Sequence, residues 1–287
     1  VYDKRLFREM ISFAGWTFFT NIAWVFNTQG INLLVNVFFG VTLNAAKGIA
    51  SQVEGAVMQF VNNFTIAINP QITKCYAAGE KDQMFNLICR GSKFSILLLL
   101  FFAIPIELEA EYLLTIWLKT VPDHAVIFTR LAIIGIVVNV IGNTGYTACM
   151  ATGNIKRYVL WITSIGLFVF PLTWISYTLG FPVEIAYILY ILIYILIDIV
   201  RLFIMRGLLN FPISYFVKRV IIPVVLTSIV GVLLPLFVYL SFEPSIFRFL
   251  ITICVSVISI GFASCYIGLT KHERGIIIGE IITFIKR

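Results

Sequence analysis

The sequence predicts an all-α, polytopic membrane bundle of about eight transmembrane helices, and three observations lead there. First, 60% of its 287 residues are hydrophobic and only 12% are charged, with a mean hydropathy of +0.98. A soluble domain is closer to half apolar and a quarter charged. Second, apolar runs recur at about the ~20 residues that a helix needs to cross a hydrocarbon core at ~1.5 Å per residue. Third, the basic residues collect in alternate connectors between those runs, as cytoplasmic loops do.

Residues 1–10 form a polar, amphipathic lead-in that contains Lys4, Arg5 and Arg8, and no cleavable signal peptide is expected from it. The first span is expected over 11–39; it is rich in aromatics but carries Asn21, Gln29, Asn32 and Asn36. A short turn at Phe39-Gly40 leads to the second span, which Pro70 is expected to end. Residues 71–93 read as a charged connector with room for a short interfacial helix. The third span, over 94–106, has a short apolar part and is expected to continue past Pro105. The fourth covers 124–150, the fifth 158–179, the sixth 184–206, the seventh 216–240 and the eighth 246–268. A charged tail over 270–287 ends on an amphipathic stretch.

Eight spans with a cytoplasmic start put all of the 21 basic residues inside except Lys47, Lys119, Arg130 and Arg248. The outside connectors are then acidic, with Glu107, Glu109, Glu111, Asp123, Glu184 and Glu243. Both ends of the chain are therefore expected in the cytoplasm, and a count of seven or nine would scramble this bias.

The second span is the unusual one. On a helical wheel Asn44, Lys47, Ser51, Gln52, Glu54, Gln59, Asn62, Asn63, Thr65 and Asn69 share about half the circumference. The other half holds Ala46, Ile49, Ala50, Val53, Ala56, Val57, Phe60, Val61, Phe64, Ala67 and Ile68. An ionisable residue at membrane depth costs ~2.5–3.5 kcal/mol on insertion scales and faces a bundle interior or an aqueous cavity. We read this helix as one wall of a solvated central cavity, against a surface amphipathic helix as the plainer alternative. The cavity candidates are Lys47, Gln52, Glu54, Gln59, Asn62 and Asn63, joined by Gln29 and Asn36 of the first span and by Arg130 and Asn143 of the fourth. Arg130 also suits snorkelling to the interface. Asp198, with Arg201 three residues on, reads either as a proton or cation site or as an intrahelical ion pair.

Other chemistries find no motif. The net charge of +7 forms no continuous stripe, so nucleic acid is not the expected partner. There is no phosphate loop, no H-E-x-x-H and no G-x-S-x-G. The five cysteines lack C-x-x-C spacing and the two histidines lie far apart, so no metal, cofactor or disulfide framework is expected. The Asn63-Phe64-Thr65 sequon lies at membrane depth, and Gly275-Ile-Ile-Ile-Gly279 falls in the charged tail.

Phe39-Gly40, Ala45-Ala46, Ile49-Ala50 and Gln52-Val53, followed by Pro70-Gln71-Ile72-Thr73-Lys74 and Tyr76-Ala77-Ala78-Gly79-Glu80, resemble the polysaccharide and lipid-linked oligosaccharide flippases. These belong to the MATE-like (MOP) superfamily, which also contains the multidrug-and-toxin extruders. Pro105, Trp117-Leu118, Pro122, Ala125, Phe128 and Arg130-Leu131 are similar to the same family's next hairpin, and Tyr215-Phe216-Val217-Lys218 with Pro223 to its penultimate helix. The resemblance implies a second six-helix lobe over 1–206 and two additional helices with a tail over 207–287. It implies that the first, N-terminal lobe is missing, which fits a chain that opens on Val1 rather than Met. It also implies a membrane transporter, not an enzyme, in the bacterial inner membrane. The implied substrate is a polyprenyl-diphosphate-linked glycan, moved by alternating access with its tail among the membrane lipids. Two alternatives stand beside it. A cation-coupled drug extruder would depend on acidic cavity residues. A glycan polymerase or ligase would need a large basic outer loop, whereas the longest outside connector, 107–123, is acidic.

Overall fold

The computed structural model describes residues 4–271 and 273–275. The amphipathic end of the tail, and the close of the Gly275–Gly279 motif, lie outside the described residues. Eleven α-helices run up and down as a polytopic bundle, with no strand among the described residues. In order they are α1 (Lys4–Phe39), α2 (Val41–Ala77), α3 (Lys81–Leu118), α4 (Ala125–Val140), α5 (Asn143–Ala151), α6 (Ile155–Leu167), α7 (Val169–Thr178), α8 (Ile185–Leu209), α9 (Ile213–Phe216), α10 (Ile222–Ser241) and α11 (Ile246–Ala263). A π-helical segment, Val217–Ile221, joins α9 to α10, and a second, Ser264–Gly268, follows α11. Pairs α4–α5, α6–α7 and α9–α10 each make one continuous crossing, so the chain traverses the bundle eight times.

Seven of these crossings are long and apolar enough to span a membrane. The eighth, α2, is 37 residues long, but its amides and charges keep it out of that group. The protein is therefore a multi-pass membrane protein. Leu240, Phe237, Val230 and Phe262, all exposed on α10 and α11, form the kind of surface that hydrocarbon solvates.

Two expectations fail in instructive ways. Pro70 does not end α2, and residues 71–93 are not a connector. The helix runs through Pro70 because Ile72 and Cys75 beyond it pack into the core. A proline inside a packed membrane helix is tolerated when its neighbours satisfy the freed backbone. The helix ends instead in a Schellman turn: Gly79 takes φ 75°, its N–H donates to the Tyr76 carbonyl, and the Glu80 N–H donates to Cys75. Only residues 78–80 separate α2 from α3. The third crossing accordingly begins at Lys81 and carries Met84, Ile88, Ile96 and Leu99 into the core. At the other end of α2 the link is a single residue, Gly40, whose φ of 87° reverses the chain.

Two apolar cores stack along the bundle. One, near the end that carries Lys74, Lys81 and Arg206, joins α2, α3, α5 and the two last crossings. The other, near the opposite end, joins α1, α2, α4, α7 and α8 around Phe128, Leu114 and Val35. The last two crossings pack on each other and on α3.

Their tie to α3 is polar and fully buried. Arg248 of α11 donates from Nε and Nη2 to the two Glu109 carboxylate oxygens, both at 2.9 Å, and Thr252 adds a third bond at 3.1 Å. Arg248 also lies 4.5 Å from the Tyr239 ring centroid. Glu109 itself departs from helical geometry, at φ −106° and ψ 21°, one turn past Pro105. The far end of the same contact is held by Glu273, which accepts from Lys93 at 2.6 Å and from the Thr270 N–H at 2.8 Å. Burial alone would raise the Glu273 carboxyl, but those bonds outweigh it and hold the group below its ordinary value.

Removing one partner of a buried ion pair leaves the other charge uncompensated. Glu109→Ala should destabilise the protein by about 3–5 kcal/mol in denaturant unfolding, and Glu109→Met combined with Arg248→Met should cost less than either single change. A double variant as unstable as the sum of the singles would show that the pair does not act as a unit.

Candidate functional site

The described residues line a half-open cavity of about 280 Å³, with polar groups on its wall, between α1, α2, α4, α7 and α8. Its position follows from the second apolar core. Ile31, Ala132, Val169 and Ala186 belong to that core and form the cavity's apolar wall. Small residues let the helices approach without filling the space. Gly135 of α4 faces the Tyr190 ring so closely that a Cβ there would lie 3.2 Å from it.

Five amide or charged side chains converge on this space: Asn27 and Asn32 from α1, Lys47 and Glu54 from α2, and Asn139 from α4. Lys47 Nζ donates to Asn32 Oδ1, so it is drawn across to α1 and does not extend along α2. Lys47 and Glu54 sit two turns apart on one helix face, and no ion pair joins them. Asn27 anchors its amide on the Gly166 carbonyl at 2.8 Å, which leaves its Oδ1 buried and unpartnered. Asn139 donates to the Tyr190 hydroxyl at 3.2 Å.

The aromatic side comes from α8 and α1. Tyr187, Tyr190 and Tyr194 follow at spacings of three and four, so one face of α8 presents all three, and Trp24 lines the space from α1. The Tyr190 and Tyr194 rings stack at 4.1 Å between centroids. The Tyr187 hydroxyl is buried without a partner. Tyr187 also touches Phe128, whose ring meets His124; His124 Nδ1 in turn lies 2.5 Å from Glu184 Oε1, at the end of the bundle. The cavity thus offers one cation, one carboxylate, several amide donors and acceptors, and flat aromatic faces. That set can hold a polar ligand with anionic or hydroxyl groups, and its aromatic faces can stack on a ring or a cation.

The sequence candidates divide. Lys47 and Glu54 line the cavity. Gln52, Gln59, Asn62 and Asn63 lie exposed on the outer face of α2, and Gln29 and Asn36 lie exposed on α1. Gln29 is tied only to Asn32, at 3.4 Å. The wheel placed the polar half of α2 as a single wall, but the buried stripe is narrower than that: Ala46, Ala50, Val57, Val61 and Thr65, with Phe60 and Ala67 exposed alongside the amides. Arg130 does not reach the cavity; its Nε donates to the Glu107 carbonyl at 2.9 Å and ties α4 to α3. Asn143 starts α5, beyond the cavity's limit. Asp198 lies elsewhere, paired with Arg201 at 2.5 Å. Asn27, Asn32, Asn139, Ser51 and the three tyrosines were not among the candidates. The tyrosine spacing in an otherwise aliphatic helix was the readable signal; the inward turn of Asn27 had none. Among the described residues no cluster of His, Cys, Asp or Glu could hold a metal ion.

The cavity's reach can be mapped by thiol chemistry in a cysteine-free background. Asn32→Cys, Ser51→Cys and Asn139→Cys should react with a hydrophilic thiol reagent. Ala50→Cys and Val61→Cys, at positions with no exposure, should not. Equal labelling of the two sets would mean that the cavity is not solvated.

No family model, curated protein or solved structure matches the chain, so its functional reading rests on the chemistry of this cavity.

Proposed function

We propose that the protein is a membrane transporter of the flippase kind, moving a polyprenyl-diphosphate-linked oligosaccharide across the bacterial inner membrane by alternating access for surface polysaccharide biosynthesis. The observation that supports this most is a polar cavity within a bundle of membrane-spanning helices, furnished with Lys47, Asn27, Asn32, Asn139 and three tyrosines. A diphosphate calls for a cation and amide donors, through charge-assisted hydrogen bonds. Sugar hydroxyls call for amides and phenols, and sugar faces call for aromatic rings. The polyprenyl tail can remain in the bilayer. The basic connectors at one end of the bundle support a cytoplasmic placement of both chain ends. Polar groups at membrane depth are costly without such use.

A second reading is a multidrug extruder, and one observation favours it. Glu54 has no ion-pair partner in a cavity that also holds Trp24 and the stacked Tyr190 and Tyr194, a set that suits an organic cation.

Binding to the purified protein separates the two. For a lipid-linked diphosphate oligosaccharide, Lys47→Gln and Lys47→Glu should weaken binding by roughly ten- to hundredfold, the worth of a charge-assisted hydrogen bond, while Lys47→Arg retains part of it. Glu54→Gln should change it little. For a lipophilic cation the order reverses. Lipid-linked glycan that binds wild type, Lys47→Gln and Lys47→Glu alike would remove this residue, and with it the flippase reading of the cavity.

A further inference from the structure

A second cavity, of about 320 Å³, opens between the α4–α5 break, α8 and the π-helical segment before α10, and shares no residue with the first. Its walls are apolar, with Ile195, Ile199, Leu202, Phe216 and Ile221. The two charged side chains that line it are Asp198 and Arg201. Arg201 Nη1 donates to Asp198 Oδ1 at 2.5 Å, and Arg201 Nε donates to the Tyr158 hydroxyl at 2.8 Å. Asp198 Oδ2 is buried and has no hydrogen-bond partner.

The same molecule shows what a locked pair looks like. Glu109 has both oxygens bonded, to two nitrogens of one guanidinium and to a hydroxyl. Asp198 has one bond, to one oxygen, and its other oxygen is buried without a partner in a residue that lines an apolar cavity. A carboxylate can accept about four hydrogen bonds, and an unsatisfied anionic oxygen out of water is costly. A bound proton on Oδ2 removes the charge, the larger part of that cost, and leaves a neutral O–H.

We propose that Asp198 is a proton-binding site. A proton delivered by water that enters the cavity forms an O–H bond on Oδ2, turning the carboxylate into a carboxylic acid, and leaves by the same path. Nothing is oxidised or reduced. Arg201 keeps its charge throughout and stays held by Tyr158. Arg201 and Tyr194 from α8, Tyr158 from α6, and Tyr146 and Cys149 from α5 are the titratable or charged groups around the pair. From α4, α9 and the π-helical segment the cavity receives only apolar side chains, and the α4–α5 break adds Gly142.

Proton occupancy has a structural consequence at that break. Arg201 Nη1 fills the place where a side chain on residue 142 would be: a Cβ there would lie 1.2 Å from it. Only glycine leaves that seat. Ionised Asp198 holds the guanidinium over Gly142. Neutral Asp198 releases that hold, so the packing of α4–α5 on α8 is linked to the proton. The site stands apart from the transport reading of the first cavity and does not rest on it.

Infrared difference spectra of the purified protein, from alkaline to acidic pH, read this directly. A carboxylic-acid C=O band should appear on acidification, be lost in Asp198→Asn and persist in Glu109→Gln. An unchanged band in Asp198→Asn, or no such band in wild type at any pH, overturns the proposal. Should Asp198→Asn fail to fold, Asp198→Glu serves: the band should shift in frequency, and an unshifted band overturns the proposal equally.

Discussion

In a hydrocarbon solvent every polar group must find its partner inside the protein, and the architecture of this chain follows from how it meets that demand. Backbone groups meet it by being helical through all eight crossings. Side chains meet it in graded ways. Thr129, Thr173 and Ser228 hand their hydroxyls to carbonyls one turn back and ask nothing of the fold. Ser92 and Thr144 bond each other at 2.6 Å and bring α3 and α5 together. Glu109, Arg248 and Thr252 form a closed set that clamps the last two crossings to α3. Nine buried side-chain atoms among the described residues are left without a partner; Asn27 Oδ1 and the Tyr187 hydroxyl belong to residues of the polar cavity, and Asp198 Oδ2 to a residue of the second cavity.

That grading explains why the fold was more legible than the site. Apolar runs and the alternation of basic connectors give the class and the number of crossings, because both are properties of single helices. Boundaries were less legible where two signals competed. Pro70 reads as a stop, but Gly79, in the αL position of a Schellman turn, is the stronger one, and burial of Ile72 and Cys75 carries the helix across. The charged look of 71–93 misled for the same reason. Lys74, Glu80, Lys81 and Asp82 are exposed and Lys93 is buried against Glu273, while Met84, Ile88 and Cys89 face the core.

The site was legible only where a residue's own helix decides its direction. Lys47 and Glu54 recur at seven residues on the α2 face that meets α1 and α8. The amides at 52, 59, 62 and 63 are on the same helix, yet a rotation of α2 by its buried alanine and valine stripe turns them outward. Arg130 could not be placed from sequence because its partner, the Glu107 carbonyl, is a backbone group 23 residues away. Asn27 and Asn139 depend on Gly166 and Tyr190, which the fold alone brings within reach.

The outward amides pose a physical question of their own. Gln29, Asn36, Gln52, Gln59, Asn62 and Asn63 are exposed on α1 and α2, and a Cβ on Gly48 or Gly55 beside them would meet nothing within 4 Å. Amides against lipid tails lose the bonds that water gives them, at a cost of a few kcal/mol each. Lys47 and Glu54 are treated differently: they are turned inward, lodged in a cavity and left apart. Had they formed a direct pair, each would have satisfied the other and the cavity would be chemically closed. Because they are separate, with Lys47 sharing only the Asn32 oxygen, each retains capacity for a partner that is not protein. A membrane helix with unsatisfied polar groups along its length is stable only if water or another polar group completes them, and for Lys47 and Glu54 the cavity has room for that partner.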